Sequence, residues 1–129
     1  MTSVAIVDDE EGIRKALGRL LRASGLDAES YASGQDFLDA AAARRPDCVV
    51  LDLHMPGLSG LQVLRKLKAA GQRLSIIIIT AHDEAETREQ CMAAGARAYL
   101  RKPLEDRVLL NAISAAMRTP AAPIMGVRK

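Results

Sequence analysis

The segment Ile76-Ile77-Ile78-Ile79-Thr80 decides the fold of this 129-residue chain. Its four consecutive isoleucines are β-branched and apolar, which favours a strand over a helix. An uninterrupted apolar run also indicates burial on both faces, as in the centre of a parallel sheet. We therefore expect a central strand that ends at Thr80, with helices packed on either side of the sheet.

Four other runs have the same short, strand-like character: residues 3–7, 26–31, 48–51 and 96–101. Each of the five strands is followed by a segment with helical spacing of its apolar residues. The predicted helices carry Ile13, Leu17 and Leu21; Phe37, Leu38 and Ala41; Leu61, Leu64 and Leu67; residues 84–94; and, within 104–117, the inward-facing Val108, Leu109, Ala112, Ile113 and Ala116. Strict alternation implies parallel strands joined by right-handed crossovers. The sequence thus predicts an α/β domain of five βα units, (βα)5.

Polar side chains stand where these strands end. Asp8 and Asp9 follow the first strand, Asp52 the third and Lys102 the fifth, while Thr80 closes the fourth. The carboxyl ends of parallel strands share one edge, and ligands bind there. Clustered carboxylates repel one another unless a cation joins them, and oxygen ligands suit Mg²⁺. We expect Asp9 and Asp52 to bind Mg²⁺ directly, and Asp8 directly or through water.

The same edge carries what a carboxylate needs in order to attack phosphorus and form an acyl phosphate. The charge on the transferred group must be neutralised and its oxygens must be held. Lys102 offers a positive charge, Thr80 a hydroxyl and Ala81 a backbone N–H. A lone aspartate at a strand end is more often a helix cap. The combination of all these groups at separate strand ends favours phosphoryl chemistry.

The chain resembles the receiver domain of bacterial two-component response regulators over about residues 2–118. The segments that carry the resemblance are VAIVDDE at 4–10, VVLDLHMPGLSG at 49–60, IITA at 78–81, AGA at 94–96 and KP at 102–103. The fragments at 31–38 and 81–83 are most similar to the nitrogen-fixation and nodulation regulators of the FixJ type. The resemblance implies a flavodoxin-like, doubly wound sheet with strand order 2-1-3-4-5.

The resemblance also implies roles for the residues at the carboxyl edge. Asp52 would accept a phosphoryl group from the phosphohistidine of a sensor histidine kinase or of a phosphotransfer protein. Asp8, Asp9, Asp52 and the backbone carbonyl of His54 would hold Mg²⁺. Lys102 would bind the phosphoryl group, together with Thr80 and Ala81.

A switch is implied as well. Thr80 would move toward the phosphoryl group, Tyr99 would turn inward, and the Lys102–Pro103 peptide bond would be cis. The surface formed by the fourth helix, fifth strand and fifth helix would then control a downstream partner or transcriptional output. That surface could also pair two receivers in a homodimer. The domain would be a phosphoprotein switch rather than an enzyme.

His54 and His82 lie two residues after Asp52 and Thr80. A zinc site is disfavoured because no cysteine or third histidine accompanies them. We expect exposed loop residues that control the access of water to the acyl phosphate. Among the other charged residues, Glu10 and Glu11 are expected in the first turn of the first helix, where acids are favoured, and Arg14, Lys15, Arg19 and Arg22 on a solvated face.

Three other functions compete with this interpretation. A Mg²⁺-dependent phosphotransferase or phosphatase with an aspartyl intermediate would need a second acid two residues after Asp52, where His54 stands. A flavin or nucleotide domain would need a glycine-rich loop after the first strand, where acids stand instead. A receiver-like interaction module that never takes phosphate would have no need of the acids, Thr80 and Lys102.

Composition limits the remaining classes. A net charge of +2 and three aromatic residues argue against direct nucleic-acid contact by this domain. No segment approaches the roughly 20 apolar residues that span a bilayer, and no signal-peptide pattern opens the chain, so we expect no membrane contact and a cytoplasmic protein. Cys48 and Cys91 lie in apolar patterns and are expected to be buried. We expect the receiver domain in residues 1–118 and a linker-like or partly ordered tail in residues 119–129.

Overall fold

The computed structural model describes residues 2–118, which form five strands and five helices in strict alternation. The strands are β1 (Ser3–Val7), β2 (Asp27–Tyr31), β3 (Cys48–Asp52), β4 (Ser75–Thr80) and β5 (Ala98–Arg101). The helices are α1 (Glu11–Ala23), α2 (Gly34–Ala43), α3 (Gly60–Ala69), α4 (Ala85–Ala93) and α5 (Asp106–Arg118). The predicted tail, residues 119–129, lies outside the described residues.

All strand pairs are parallel, and the sheet order is β2-β1-β3-β4-β5. The flavodoxin-like order predicted from the sequence is therefore confirmed. The central strands β3 and β4 are buried along their whole length, as the run of isoleucines indicated. Because all strands point the same way, their carboxyl ends meet at one edge of the sheet.

Successive strand residues face opposite sides of the sheet and build two cores. Val49, Leu51, Ile76 and Ile78 pack with residues of α2, α3 and α4. The alternate positions, among them Val50, Ile77 and Ile79, pack with residues of α1 and α5. Both cysteines are free and buried, one in each core, which confirms their prediction as small apolar residues. The doubly covered sheet therefore gives the carboxyl edge a rigid base.

The last two elements differ from their predictions. The fifth strand begins at Ala98 rather than at residue 96, and the last helix begins at Asp106 rather than at residue 104.

Val108 was expected to face inward, but its exposed fraction is 43%. The buried stripe of α5 is Leu109, Ile113 and Ala116, and a residue next to Leu109 along a helix is turned by about 100°. The apolar character of Val108 was therefore a misleading signal.

None of the helices within residues 2–118 combines the length and the apolarity that a bilayer crossing requires.

Gly60, the first residue of α3, brings that helix against the end of β3. A Cβ at this position would lie 2.6 Å from the Asp52 carbonyl oxygen and 2.9 Å from the Leu53 Cα. Both neighbours are backbone atoms, which have little freedom to retreat. Gly60 also donates its backbone N–H to the Leu53 carbonyl over 2.9 Å. The missing side chain thus fixes how closely α3 approaches Asp52.

We expect Gly60→Ala to destabilise the protein by about 1–3 kcal/mol, the usual cost of overpacking against atoms that cannot move. Urea unfolding monitored by circular dichroism measures this change. Gly12→Ala is the matched control, because a Cβ at that exposed position of α1 meets nothing within 4 Å. Alanine there should stabilise the helix by about 0.5–1 kcal/mol. Equal effects of the two substitutions would contradict the steric argument.

Candidate functional site

The carboxyl edge of the sheet brings three acids together. Asp8 and Asp9 directly follow β1, Asp52 ends β3, and β1 and β3 are neighbours in the sheet. One carboxylate oxygen from each acid can be chosen so that all three oxygens lie within 4.8 Å of one another. The predicted cluster therefore exists, and it joins residues 43 positions apart (52 − 9).

Two of these acids are almost completely removed from water. The exposed fraction is 0% for Asp8 and 3% for Asp52, whereas Asp9 is exposed. Burial, and after it the negative charge of Asp8, raise the pKa of Asp52 from 3.8 to about 6. Lys102 and the backbone N–H of His54 act in the opposite direction. The charged form of Asp52 is thus destabilised in the fold, and an added positive charge would stabilise it.

Lys102 supplies positive charge to this cluster. Its Nζ lies 3.1 Å from Asp8 Oδ2, 3.4 Å from Asp52 Oδ1 and 3.5 Å from Glu10 Oε1. Burial alone would lower the pKa of Lys102, but the hydrogen bond to Asp8 and the charges of Asp52 and Asp8 outweigh it and raise the pKa. The ammonium group therefore stays charged at neutral pH and lies between the two buried acids.

Asp8 is also held in place by contacts with its own loop and with α1. Its Oδ1 accepts the backbone N–H of Glu10 over 2.9 Å, and its carbonyl accepts a hydrogen bond from Arg14 Nη1 over 2.8 Å. Arg14 is half-buried, so its predicted place on a solvated face is wrong. Lys15, Arg19 and Arg22 are exposed as predicted. The position of Arg14, about one helical turn after the acids, was the sequence feature that could have predicted this contact.

Glu10 was predicted in the first turn of α1 but is the N-cap residue that precedes it. This position lets its carboxylate reach Lys102, a contact that the sequence argument missed. Glu11 does lie in the first turn, as predicted, and forms an exposed ion pair with Lys15 at 3.4 Å.

Thr80 lies at the end of β4 and is fully buried. Its hydroxyl donates to the His82 carbonyl and accepts the His82 backbone N–H, each over 3.0 Å. The hydroxyl is thus used within its own loop. Ala81 is exposed between these two residues. Thr80 and Asp52 are nevertheless on adjacent strands, since Asp52 pairs with Ile79.

His54 and His82 face each other across the two loops that follow β3 and β4. Their ring centroids are 5.7 Å apart and the rings meet edge to face at 72°. Both residues are exposed, as predicted. The paired imidazoles therefore border the edge of the sheet at which Asp52 lies.

Tyr99 on β5 is half-buried and packs against the core beneath α4. Its hydroxyl is buried and makes no hydrogen bond within residues 2–118, and burial raises its pKa. The guanidinium of Arg88 lies over the ring at 5.4 Å and pairs with Asp83 at 2.5 Å. Arg88 thus links the switch candidate Tyr99 to the loop after Thr80, a connection the sequence did not reveal.

The Lys102–Pro103 peptide bond is cis, as the resemblance implied.

The donor atoms at this edge fit a hard cation. Asp8, Asp9 and Asp52 offer only carboxylate oxygens, which suit Mg²⁺ and not a softer metal. Burial and the charge of Asp8 raise the pKa of Asp52 despite the nearby Lys102, so a cation at this edge would stabilise the charged form of Asp52. These three residues could therefore hold a divalent cation, and the acidic pocket is the metal-binding candidate.

The family model described as the response regulator receiver domain matches residues 4–114. Among curated proteins, the chain is 35% identical over 114 residues to the transcriptional regulatory protein FixJ of Azorhizobium caulinodans, covering 88% of this chain and 54% of that protein. It is 39% identical over 116 residues to TdiR of Thauera aromatica, covering 90% and 51%. The chain spans about half the length of these curated relatives.

Solved structures agree with this assignment. A response regulator receiver protein from Burkholderia phymatum is 46% identical with a TM-score of 0.80, and the match covers 94% of this chain and 98% of that one. The structure titled FixJ-N is 36% identical with a TM-score of 0.86, covering 95% and 98%.

The raised pKa of Asp52 predicts how stability depends on pH without metal. A carboxyl group with a pKa of about 6 in the fold stabilises it below about pH 4, and this contribution disappears as the pH rises through 6. Asp52→Asn should therefore leave stability unchanged near pH 4 and increase it by about 2 kcal/mol at pH 8. Urea unfolding in a chelator at both pH values measures this difference.

Asp39→Asn, an exposed change on α2, is the control and should show no such pH dependence. A gain for Asp52→Asn that is the same at pH 4 and pH 8 would contradict the electrostatic explanation.

Proposed function

We propose that this chain, which belongs to the family of response regulator receiver domains, takes a phosphoryl group onto Asp52 and thereby switches a signalling surface. The observation that carries this proposal is the position of Lys102 Nζ, 3.1 Å from Asp8 and 3.4 Å from Asp52 in a buried acidic pocket. An ammonium group beside a buried carboxylate can neutralise a phosphoryl group that arrives there. The family is a two-component signalling family, so the expected donor is the phosphohistidine of a sensor kinase or of a phosphotransfer protein.

Each residue of the pocket has a proposed task. A carboxylate oxygen of Asp52 attacks phosphorus, the P–N bond to the donor histidine breaks, and the imidazole leaves with the bonding electrons and takes up a proton. Lys102 then binds an oxygen of the new acyl phosphate. Thr80 gives up its bonds to His82 and donates its hydroxyl to another oxygen, and the Ala81 backbone N–H donates to a third.

Asp8, Asp9, Asp52 and the His54 carbonyl are the proposed ligands of Mg²⁺, which when bound offsets the charge of the acids and of the incoming phosphoryl oxygens. Asp8 is fixed for this task by Glu10 N–H and Arg14 before any metal arrives. The exposed Asp9 faces water and can meet the ion first.

The switch follows from the displacement of Thr80. Its hydroxyl bonds hold the loop that begins α4, and Asp83 in the same loop pairs with Arg88 over Tyr99. Movement of Thr80 would therefore shift the surface formed by α4, β5 and α5. We propose that a downstream partner, or a second receiver in a homodimer, reads this surface. The domain itself makes no nucleic-acid contact in this proposal.

An enzyme is the second candidate function, and the pocket argues against it. A phosphatase with an aspartyl intermediate needs an acid to protonate its leaving group, and the residue two positions after Asp52 is His54. Asp52 is also only 3% exposed, so little of its side chain is open to a bulky substrate. The domain is therefore proposed as a single-turnover acceptor.

The proposal is tested by incubating the chain with Mg²⁺ and a small acyl phosphate donor and measuring intact mass. We expect one added phosphoryl group in the wild type and none in Asp52→Asn, which cannot form the acyl phosphate. Asp39→Asn on the exposed face of α2 is the matched control and should take up phosphate normally. No uptake by the wild type would favour an interaction module, and sustained turnover of the donor would favour an enzyme.

The histidine pair predicts the lifetime of the phosphorylated state. Rings that border the pocket restrict the approach of water, so His54→Ala and His82→Ala should each shorten the lifetime several-fold after the donor is removed. The rate of phosphate release measures this effect. Gln90→Ala, an exposed change on α4, should not alter it. Release at the wild-type rate in both histidine variants would exclude the proposed shielding.

A further inference from the structure

A cavity of about 310 Å³ opens at the opposite edge of the sheet from Asp52. It lies between the end of α3, the segment 71–74 that leads into β4, and the segment 94–97 that leads into β5. None of the residues proposed above for phosphoryl transfer lines it. Its volume is at the lower end of the range typical of small-molecule sites.

The floor of this cavity is apolar. Leu64 and Leu67 come from α3, Leu74 precedes β4, and Ile76 lies in it. All four side chains are buried and belong to the core beneath α2, α3 and α4. The cavity therefore reaches down to the core itself, and its floor suits an apolar ring or chain.

The rim of the cavity is cationic. Lys68, Arg73 and Arg97 line it, and the lining residues within the described part of the chain include no acid. Lys68 Nζ lies 3.4 Å from the Ala93 carbonyl, so its charge sits at the end of α4 and complements the helix dipole there. Arg73 and Arg97 lie in loops, where no helix end explains their charge, although both also interact with other groups. Three cations around an apolar floor are complementary to an amphipathic anion.

Gln72 adds a hydrogen-bond requirement. It lines the same cavity, and its Oε1 is buried without a hydrogen bond within residues 2–118. A buried acceptor without a donor is unfavourable. A ligand that carries an O–H or N–H group on its apolar body would satisfy this acceptor.

We propose that this cavity binds a small amphipathic monocarboxylate whose apolar body carries one hydrogen-bond donor. The carboxylate would lie at the cationic rim, the body on the leucine floor, and the donor at Gln72. Because α4 has only Cys91 fully buried, a ligand between α3 and the end of α4 would add contacts to a weakly anchored helix.

The probe is 4-hydroxyphenylacetate, titrated into the ¹⁵N-labelled chain without Mg²⁺ or phosphoryl donor. We expect saturable amide shifts at Gly71 and Gly95, which line the cavity, and none at Gly12 and Gly57, which do not. The uncharged 4-hydroxyphenylacetamide and the donor-free phenylacetate should each bind several-fold more weakly. Because no phosphoryl transfer is involved, failure here and failure of the proposed function are separate results.

Arg97→Gln should weaken binding about tenfold, the usual effect of losing a hydrogen bond to a charged group. Arg101→Gln is the matched control: it removes the same charge from the other end of β5, outside the cavity, and should bind as the wild type does. Lys68→Gln is a second test if Arg97→Gln does not fold. The proposal is overturned by unsaturable shifts, by equal binding of the acid and the amide, or by equal affinities of the folded cavity variants and Arg101→Gln.

Discussion

The close approach of the Asp8 and Asp52 carboxylates is the constraint on which the rest of this molecule depends. Two buried like charges are unfavourable, and the fold tolerates them only because Lys102 lies within 3.4 Å of both. Burial and the charge of Asp8 together keep the pKa of Asp52 raised to about 6 despite the lysine. A further cation would offset the charge of these acids, so the three carboxylates could hold a metal ion.

The packing divides the domain into a rigid part and a part that can respond. β3 and β4 are buried along their whole length, so the base of the pocket is fixed. By contrast, α4 buries only Cys91 completely, and the loop before it is held by the hydroxyl of Thr80. In the proposed switch, a change at Asp52 would therefore reach α4 while the sheet stays in place. The Arg88 contact with Tyr99 ties β5 to the same loop.

Sequence reasoning succeeded where a pattern reflects one strong local force. The isoleucines of β4 have to be buried, and the strict alternation of strands and helices predicts a parallel sheet with right-handed crossovers. Sequence reasoning failed where the environment of a side chain, water or a distant partner, depends on tertiary packing. Arg14 and Val108 show the two directions of this failure: an arginine expected in water bonds to the Asp8 carbonyl, and a valine expected in the core is exposed.

The sequence by itself determined the order of the elements and the strand ends at which Asp8, Asp52 and Lys102 lie. These follow from apolar periodicity and from the geometry of parallel sheets, which are local or generic. The order of the strands in the sheet was implied by the resemblance to receiver domains. Only the tertiary structure decided that Lys102 bridges the two buried acids, that Thr80 bonds within its own loop, and that Gln72 lines a cationic cavity with its buried Oε1 unpaired within residues 2–118. Such contacts depend on rotamers and on burial, which arise only when distant segments pack together.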